Sequence, residues 1–369
     1  MRLLLAGGGT GGHLFPAVAL AQLLIKQEDD AAVQFVGTQR GLEQRLLPTL
    51  NLPLATIDMV GFVGRGWRGK IELIPKLLKS LVQSKKILAN FKPDLIIGVG
   101  GYASVPVLLM AKMVGIPYVI HEQNAIPGLS NKLLSRGAKR VFLSYDYTGN
   151  GFGSAATVVT GNPLRFGLEG ESKALPQPGK LLIFGGSRGA QAINKAVMEM
   201  LPLIAKWDSQ PAILHQTGEA DFKQVQQAYI DAGFDPEQVV PFIDDMESAY
   251  RDASIVVCRA GATTLAELTV CGRPAILIPY PHAAANHQEA NANVLVENGA
   301  AKMLIQDELT PSRLAELVQQ LWSNRQELKK LASCSRQLGI TGAAEQILNE
   351  CRTLLKLPHT EECMNVRTD

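Results

Sequence analysis

Three hundred and sixty-nine residues exceed one ordinary core and fit two domains of about 150 to 200 residues each. At 46% hydrophobic, 19% charged and 6% aromatic, the chain is globular, which excludes a disordered or fibrous polymer. A net charge of +2, from 36 Lys and Arg against 34 Asp and Glu, gives no bulk reason to expect nucleic acid as a partner.

In chain order, Arg2–Ala6 is an apolar run that predicts a strand ending in Gly7-Gly8-Gly9. One basic residue and so short a run do not make a signal peptide. Pro16–Leu24 predicts a helix and Val33–Val36 a second strand. Residues 61–92 hold eight Lys and Arg against one acid, Glu72, interleaved with Phe62, Trp67, Ile74, Leu77, Leu78, Leu81 and Val82. That mixture predicts a surface lying on anionic lipid. The apolar stretch from Leu95 to Ile120 is broken by Lys112, Pro106, Pro117 and four glycines. It parses as strand (Leu95–Val99), glycine turn, helix and strand (Tyr118–Ile120), and no segment is long and apolar enough to be expected to span a membrane. Arg140–Leu143 is the last strand predicted in the first half.

Gly161 to Gly179 is rich in Gly, Pro and charge and suits a linker, roughly Arg165–Pro178. Strands are then predicted at Lys180–Phe184, Ala212–Leu214, Ser254–Cys258 and Ala275–Ile278. Thr310-Pro311 reads as an N-cap with proline at the first helical position, followed by Leu314, Leu317, Val318 and Leu321 at helical spacing. The tail after Pro358 is polar and expected to fray. Cys258, Cys271, Cys334, Cys351 and Cys363 are odd in number and include no C-x-x-C pair, so neither a disulfide framework nor a structural zinc is expected, and a reducing cytosol fits.

Short strands alternating with helices predict an α/β fold with parallel sheets. The openings of the two halves, RLLLAGGGTGGH and KLLIFGGSRGAQAIN, repeat the same strand, glycine turn and helix. Two Rossmann-like domains facing each other across a cleft are therefore expected: 1–164, 165–340, a helix at 341–357 packing back on the first domain, and a tail at 358–369. In open α/β sheets ligands sit at the carboxyl ends of the strands. Glycine turns there let amides approach a diphosphate at a helix start. Gly7, Gly9 and Gly12 also satisfy G-x-G-x-x-G. A dinucleotide site, however, expects an acid after the second strand, where Gly37-Thr38-Gln39-Arg40 stands instead; only Arg40 could favour a 2′-phosphate. Gly261-Ala262-Thr263-Thr264 should open a helix, with Glu267 about a turn further on, able to accept from a sugar diol; its alternative is the ordinary acid of a helix first turn.

The ordered motifs GGGTGGHLFPAVALA, GVGGYASVP, HEQNAIPGLSNK, TGNPLR, GGSRGAQAIN, PFIDDM, RAGATTLAE and NHQEANA span residues 1 to about 355. In them the chain resembles the peptidoglycan-precursor N-acetylglucosaminyltransferases of bacteria, members of the two-domain GT-B glycosyltransferases. Val105 and Ala125 stand where that family more often has glycine.

The resemblance implies inverting transfer of GlcNAc from UDP-GlcNAc to O4 of MurNAc in undecaprenyl-diphosphoryl-MurNAc-pentapeptide (lipid I), giving lipid II and UDP. It carries donor contacts onto Thr10, Gly11, Gly12, Asn124, Arg165, Ser187, Ile243, Ala262, Thr263, Thr264, Leu265, Ala266, Glu267 and Gln288. Among these, Ile243 would present its backbone to uracil, Glu267 would take the ribose hydroxyls and Arg165 would offset diphosphate charge. His13, where the first glycine loop meets its helix, is the leading general base, since an unperturbed imidazole titrates near neutral pH. His121 and Glu122 are the runners-up, and Tyr102 is a positioning group. Asp244-Asp245 is no D-x-D motif, so no metal and no obligatory cofactor are expected. The expected location is peripheral, on the cytoplasmic face of the bacterial inner membrane, with proteins of cell-wall synthesis and division as partners. A UDP-GlcNAc 2-epimerase of the same architecture, a non-catalytic nucleotide-sugar-binding component and an NADP oxidoreductase are the rivals.

Overall fold

The computed structural model describes residues 1–39, 41–59, 73–164, 168, 174–176 and 179–358. Arg40, Val60, Arg165, the 61–72 part of the basic segment, most of the expected linker and the tail from 359 lie outside them. The chain divides into two compact units, Met1–Phe166 with Gly342–Asp369, and Gly167–Thr341.

In the first unit the strands are β1 (Arg2–Gly7), β2 (Ala32–Thr38), β3 (Leu54–Ile57), β4 (Leu95–Gly100), β5 (Tyr118–Glu122), β6 (Val141–Leu143) and β7 (Thr157–Val159). They pair in parallel in the order β3-β2-β1-β4-β5-β6-β7. Its helices are α1 (Gly11–Gln27), α2 (Glu43–Thr49), α3 (Leu73–Phe91), α4 (Ser104–Val114) and α5 (Leu129–Ser135). The second unit has β8 (Lys180–Phe184), β9 (Ala212–Gln216), β10 (Val239–Val240), β11 (Ala253–Cys258), β12 (Ala275–Leu277) and β13 (Ala301–Met303), in the parallel order β10-β9-β8-β11-β12-β13. Its helices are α6 (Gln191–Ile204), α7 (Phe222–Asp231), α8 (Met246–Asp252), α9 (Ala262–Cys271), α10 (His287–Glu297), α11 (Pro311–Ser323) and α12 (Arg325–Leu338). The last helix, α13 (Ala343–Leu355), belongs to the first unit.

Both faces of each sheet are covered, which is why the central strands read as unbroken apolar runs. On β1, Leu3 and Leu5 join a core with Leu14, Leu20, Leu24, Ile347 and Leu348, while Leu4 and Ala6 point to the opposite core with Val105 and Leu108. On β8, Leu181 and Ile183 face α6 and α11 side chains, and Leu182 and Phe184 face Tyr250 and Leu265. Helix α13 is tied to α1 by buried Arg352, which donates to Glu28 Oε1 (2.9 Å) and Gln27 Oε1 (2.8 Å). The N-terminal ammonium also reaches Glu28 (2.8 Å). These partners hold the Glu28 carboxyl below its usual range against the opposing effect of burial.

Helix α1 begins at Gly11, five residues before the predicted start, and accommodates Pro16 inside it. Helix α11 begins at Pro311 with Thr310 Oγ1 accepting the Arg313 N–H at 3.2 Å, and α9 begins just after Gly261. The four described cysteines are free thiols. No helix among the described residues is long and apolar enough to cross a membrane.

Candidate active site

The strand order of each sheet reverses between two central strands, β1 and β4 in one unit and β8 and β11 in the other. Ligands bind at such reversals. The helices that follow these strands (α1, α4, α6 and α9) have neither a side-chain cap nor an acid in the first turn. By contrast, α8, α11 and α12 are capped by Asp245, Thr310 and Asn324. The positive poles are thus left uncompensated where the glycine turns lie.

In the first unit Gly7, Gly8, Gly9, Gly100 and Gly101 all have positive φ. The turns after β1 and β4 touch backbone to backbone: a Cβ at Gly7 would overlap Gly100 O, and one at Gly101 would lie 2.7 Å from Gly8 O. His13, the third residue of α1, packs over Gly100, whose Cβ would lie 3.1 Å from its ring. Its Nδ1 lies 3.0 Å from Gln123 Oε1. The direction of that bond follows from the next link. Gln123 Nε2 donates to Val99 O at 3.0 Å, and a carbonyl only accepts, so the amide oxygen must face His13. The neutral His13 ring therefore carries its proton on Nδ1 and leaves the Nε2 lone pair open; Nε2 has no partner among the described residues. The same amide nitrogen lies 3.0 Å from His121 Nδ1, so His121 accepts there and donates Nε2–H to Gly161 O at 3.2 Å. His121 is 0% exposed, and burial lowers its pKa to about 4, keeping it neutral.

Glu122 is likewise buried. Its Oε1 accepts the Asn124 N–H (3.0 Å) and Nδ2 (3.1 Å), and its Oε2 accepts the Gly128 N–H (2.9 Å) and Asn131 Nδ2 (2.8 Å). These bonds fold the loop between β5 and α5, and they place both runners-up for the base behind the surface. Tyr102, directly after Gly101, is 36% exposed.

In the second unit the turn after β8 carries exposed Ser187 between Gly186 (φ +92) and Gly189 (φ +75). A Cβ at Gly189 would overlap Thr217 O, and one at Gly218 would overlap Arg188 O, so this turn too rests on a neighbouring turn's backbone. Behind it Asn194 donates to Thr217 O (2.9 Å) and Asp221 Oδ2 (2.8 Å), and its Oδ1 faces His215 Nε2 (3.2 Å). His215 Nδ1 faces the Tyr229 hydroxyl at 3.2 Å. Burial lowers the pKa of His215 to about 3 and raises that of Tyr229. Beside the start of α9, Arg259 donates to Ile278 O and Pro279 O (3.1 Å each) and to Gln306 Oε1 (2.7 Å), with Tyr280 under its guanidinium at 5.4 Å. These partners are neutral, so its charge remains available to an anion.

With this geometry in place, residues 3–143 match the glycosyltransferase family 28 N-terminal domain and residues 180–347 match the glycosyltransferase family 28 C-terminal domain. The chain belongs to glycosyltransferase family 28. It is 54% identical over 354 residues, 96% of this chain and 99% of its relative, to a Syntrophotalea carbinolica protein named UDP-N-acetylglucosamine–N-acetylmuramyl-(pentapeptide) pyrophosphoryl-undecaprenol N-acetylglucosamine transferase. A protein of the same name from Geotalea uraniireducens is 46% identical, over 95% and 97% of the two chains. The crystal structure of Acinetobacter baumannii MurG superposes with a TM-score of 0.76 at 34% identity, covering 95% of this chain and 99% of that one. A putative UDP-N-acetylglucosamine 2-epimerase from Listeria monocytogenes, at TM-score 0.67 and 13% identity over 97% of each chain, shares the fold.

Within this family 28 chain the sequence-predicted residues fall into two groups. Thr10, Gly11, Gly12 and His13 cluster at the first turn, and Asn124 lies in the loop after β5, next to the Gln123 that bonds His13. Ser187, and the start of α9 at Ala262, Thr263 and Thr264, lie at the carboxyl ends of β8 and β11. Ile243 anchors its side chain in the core with Met246 and Tyr250, which fixes the loop backbone before α8. Gln288, at the second position of α10, accepts the Tyr280 N–H on Oε1 at 2.9 Å. Arg165 lies outside the described residues.

Three observations bear on the expected contacts. Leu265 turns its side chain into the core and gives its N–H to Gly261 O. Glu267 is 2% exposed, with Oε2 accepting the Tyr250 hydroxyl at 2.9 Å. The first glycine turn does not offer all its amides to a diphosphate, because the Gly9 N–H is already given to Glu43 Oε2 at 2.8 Å. Glu43 was not predicted, and Gln123 and Arg259 were given no role of their own. Gln123 sits in the HEQN motif between two residues that were, and Glu43 reads in sequence as an ordinary helix-start acid. Among the described residues, no group of three or more His, Cys, Asp and Glu is placed to hold a metal.

Proposed function

We propose that this family 28 enzyme transfers GlcNAc from UDP-GlcNAc to O4 of the MurNAc unit of lipid I, with inversion, releasing lipid II and UDP. The identity of donor and acceptor rests on the names of the full-length relatives. The observation that carries the chemistry is the His13–Gln123–His121 chain, which orients the His13 imidazole with Nδ1 on Gln123 and Nε2 open. His13 Nε2 takes the proton of the acceptor hydroxyl as its oxygen attacks the anomeric carbon, and Nδ1–H stays on Gln123. His121 and Glu122 act as positioning residues from behind, and Tyr102 and Asn124 orient substrate.

The donor is held by the second unit: Ser187 and the turn amides on phosphate oxygens, the start of α9 and Arg259 on the diphosphate charge, the backbone at Ile243 on uracil, and Gln288 on the sugar. Arg165 adds charge to the same group. These groups neutralise the leaving UDP without a metal, so no obligatory cation is needed.

The enzyme works from the cytoplasmic face of the inner membrane. Helix α3 buries Ser80, Ser84 and Leu88 and leaves Leu78 (59% exposed) and Val82 (70%) outward beside Lys76, Lys85 and Lys86, an apolar and basic face suited to anionic lipid.

Radiolabelled UDP-GlcNAc offered with a short-chain lipid I analogue, with and without EDTA, tests this reading. Labelled lipid product in both reactions is expected. Conversion of the donor to its 2-epimer without transfer would overturn the activity, and loss with EDTA restored by Mg²⁺ would overturn the metal-free mechanism.

A further inference from the structure

Glu43 opens α2 and is 1% exposed, yet no part of the proton or donor chemistry above uses it. Its carboxylate is fully engaged: Oε2 accepts the Gly9 N–H at 2.8 Å, and Oε1 accepts the Thr38 N–H at 2.9 Å and the Thr38 hydroxyl at 3.1 Å. Three glycines clear the space around it. A Cβ at Gly8 would lie 2.9 Å from Oε2, one at Gly37 would lie 2.6 Å from Cγ, and one at Gly41 would overlap the carboxylate. The arrangement is that of a bound anion in a glycine-lined cradle, with the anion supplied by the chain itself.

We propose that Glu43 is the internal anion of the first glycine turn, a positioning residue that holds Gly8 and Gly9, and through them the start of α1, in the shape that presents His13. This deepens the transferase reading and rests on it. The turn is continuous with His13 through Thr10, whose carbonyl accepts the His13 and Leu14 N–H groups, so a shift at Gly9 is passed directly to the catalytic ring. A filled cradle also explains why the donor's diphosphate belongs to the turn after β8, where the corresponding strand–turn–helix keeps Ser187 exposed.

Replacing Glu43 by Ala leaves a hole walled by Gly8, Gly37 and Gly41 and lined by three donors, the two N–H groups and the Thr38 hydroxyl. Formate, the smallest carboxylate, should fill it. For Glu43→Ala the expected result is a roughly hundredfold lower kcat with KM for UDP-GlcNAc within about threefold of the parent. Formate should restore at least tenfold of that loss and raise the thermal midpoint of the variant but not of the parent. Glu43→Gln keeps the volume but turns one acceptor into a donor facing donors, and should lose kcat about tenfold without responding to formate. A folded Glu43→Ala variant with parental kcat, or one on which formate has no effect on either rate or midpoint, overturns the proposal. If that variant does not fold, a Glu43→Gln enzyme with parental kcat overturns it instead. The formate-dependent midpoint is read without substrate, so it still tests the cradle even if the parent proves not to transfer GlcNAc.

Discussion

Each unit buries one histidine behind a glycine turn, and the two hydrogen-bond chains end differently. In the first unit the bonds lead outward from Gly161 O through His121 and Gln123 to His13, a half-buried ring with one open nitrogen. In the second they lead from buried Tyr229 through His215 and Asn194 and close on Thr217 O and Asp221. The same strand–turn–helix scaffold thus ends in a half-buried imidazole on one side and in a braced backbone on the other. A braced turn suits a site that must hold a diphosphate without chemistry of its own, and a relay to an open nitrogen suits one that must move a proton.

The sharpest way to break this contrast is His13→Ala, which should lower kcat by roughly 10² to 10⁴-fold while leaving KM for UDP-GlcNAc nearly unchanged, measured by steady-state transfer. What the two units share should appear in acid. His121 and His215 stay neutral in the fold down to about 4 and 3, whereas both protonate near 6.5 when unfolded. The unfolded chain then binds more protons, so stability present above that value is lost as pH falls towards 4. Each should cost about 2 kcal/mol between pH 6.5 and about 4.5, seen in urea midpoints, and each loss should vanish in the matching His→Asn variant. Gln123→Leu releases the His13 tautomer and should lower kcat about tenfold, with the acid dependence of stability retained. Ser187→Ala should do the reverse, raising KM for UDP-GlcNAc several-fold at near-parental kcat through the loss of one hydrogen bond. Smallest of all, Lys76→Glu with Lys86→Glu should weaken binding to anionic vesicles about twofold or more. Lys79→Glu should do less, because Lys79 is paired with Asp58 at 2.6 Å.

Nine predicted strands are present, and the four that were not predicted, β3, β7, β10 and β13, are the edge strands of the two sheets. Edge strands are not covered on every side, so Leu54–Ile57 and Thr157–Val159 carry no continuous buried run to read. The helix start at Gly11 was hidden by Pro16, which more often opens a helix than sits inside one. At the site, the position of His13 beside the first turn was legible because glycines and a histidine meet at a strand end. Gln123 and Glu43 were not, since their meaning lies in partners 110 and 34 residues away. The one available signal for Glu43 was the pair Gly37 and Gly41 shortly before it, a pattern that only the three-dimensional cradle makes specific.

The tautomer of His13 is the point on which the proton-transfer account turns, and long-range proton–nitrogen correlation spectra of the enzyme with ¹⁵N-labelled histidine observe it directly, assigned with His13→Gln and His121→Asn. The account predicts His13 protonated on Nδ1 with a bare Nε2 near neutral pH, and His121 protonated on Nε2 throughout. A His13 ring carrying its proton on Nε2 would contradict it.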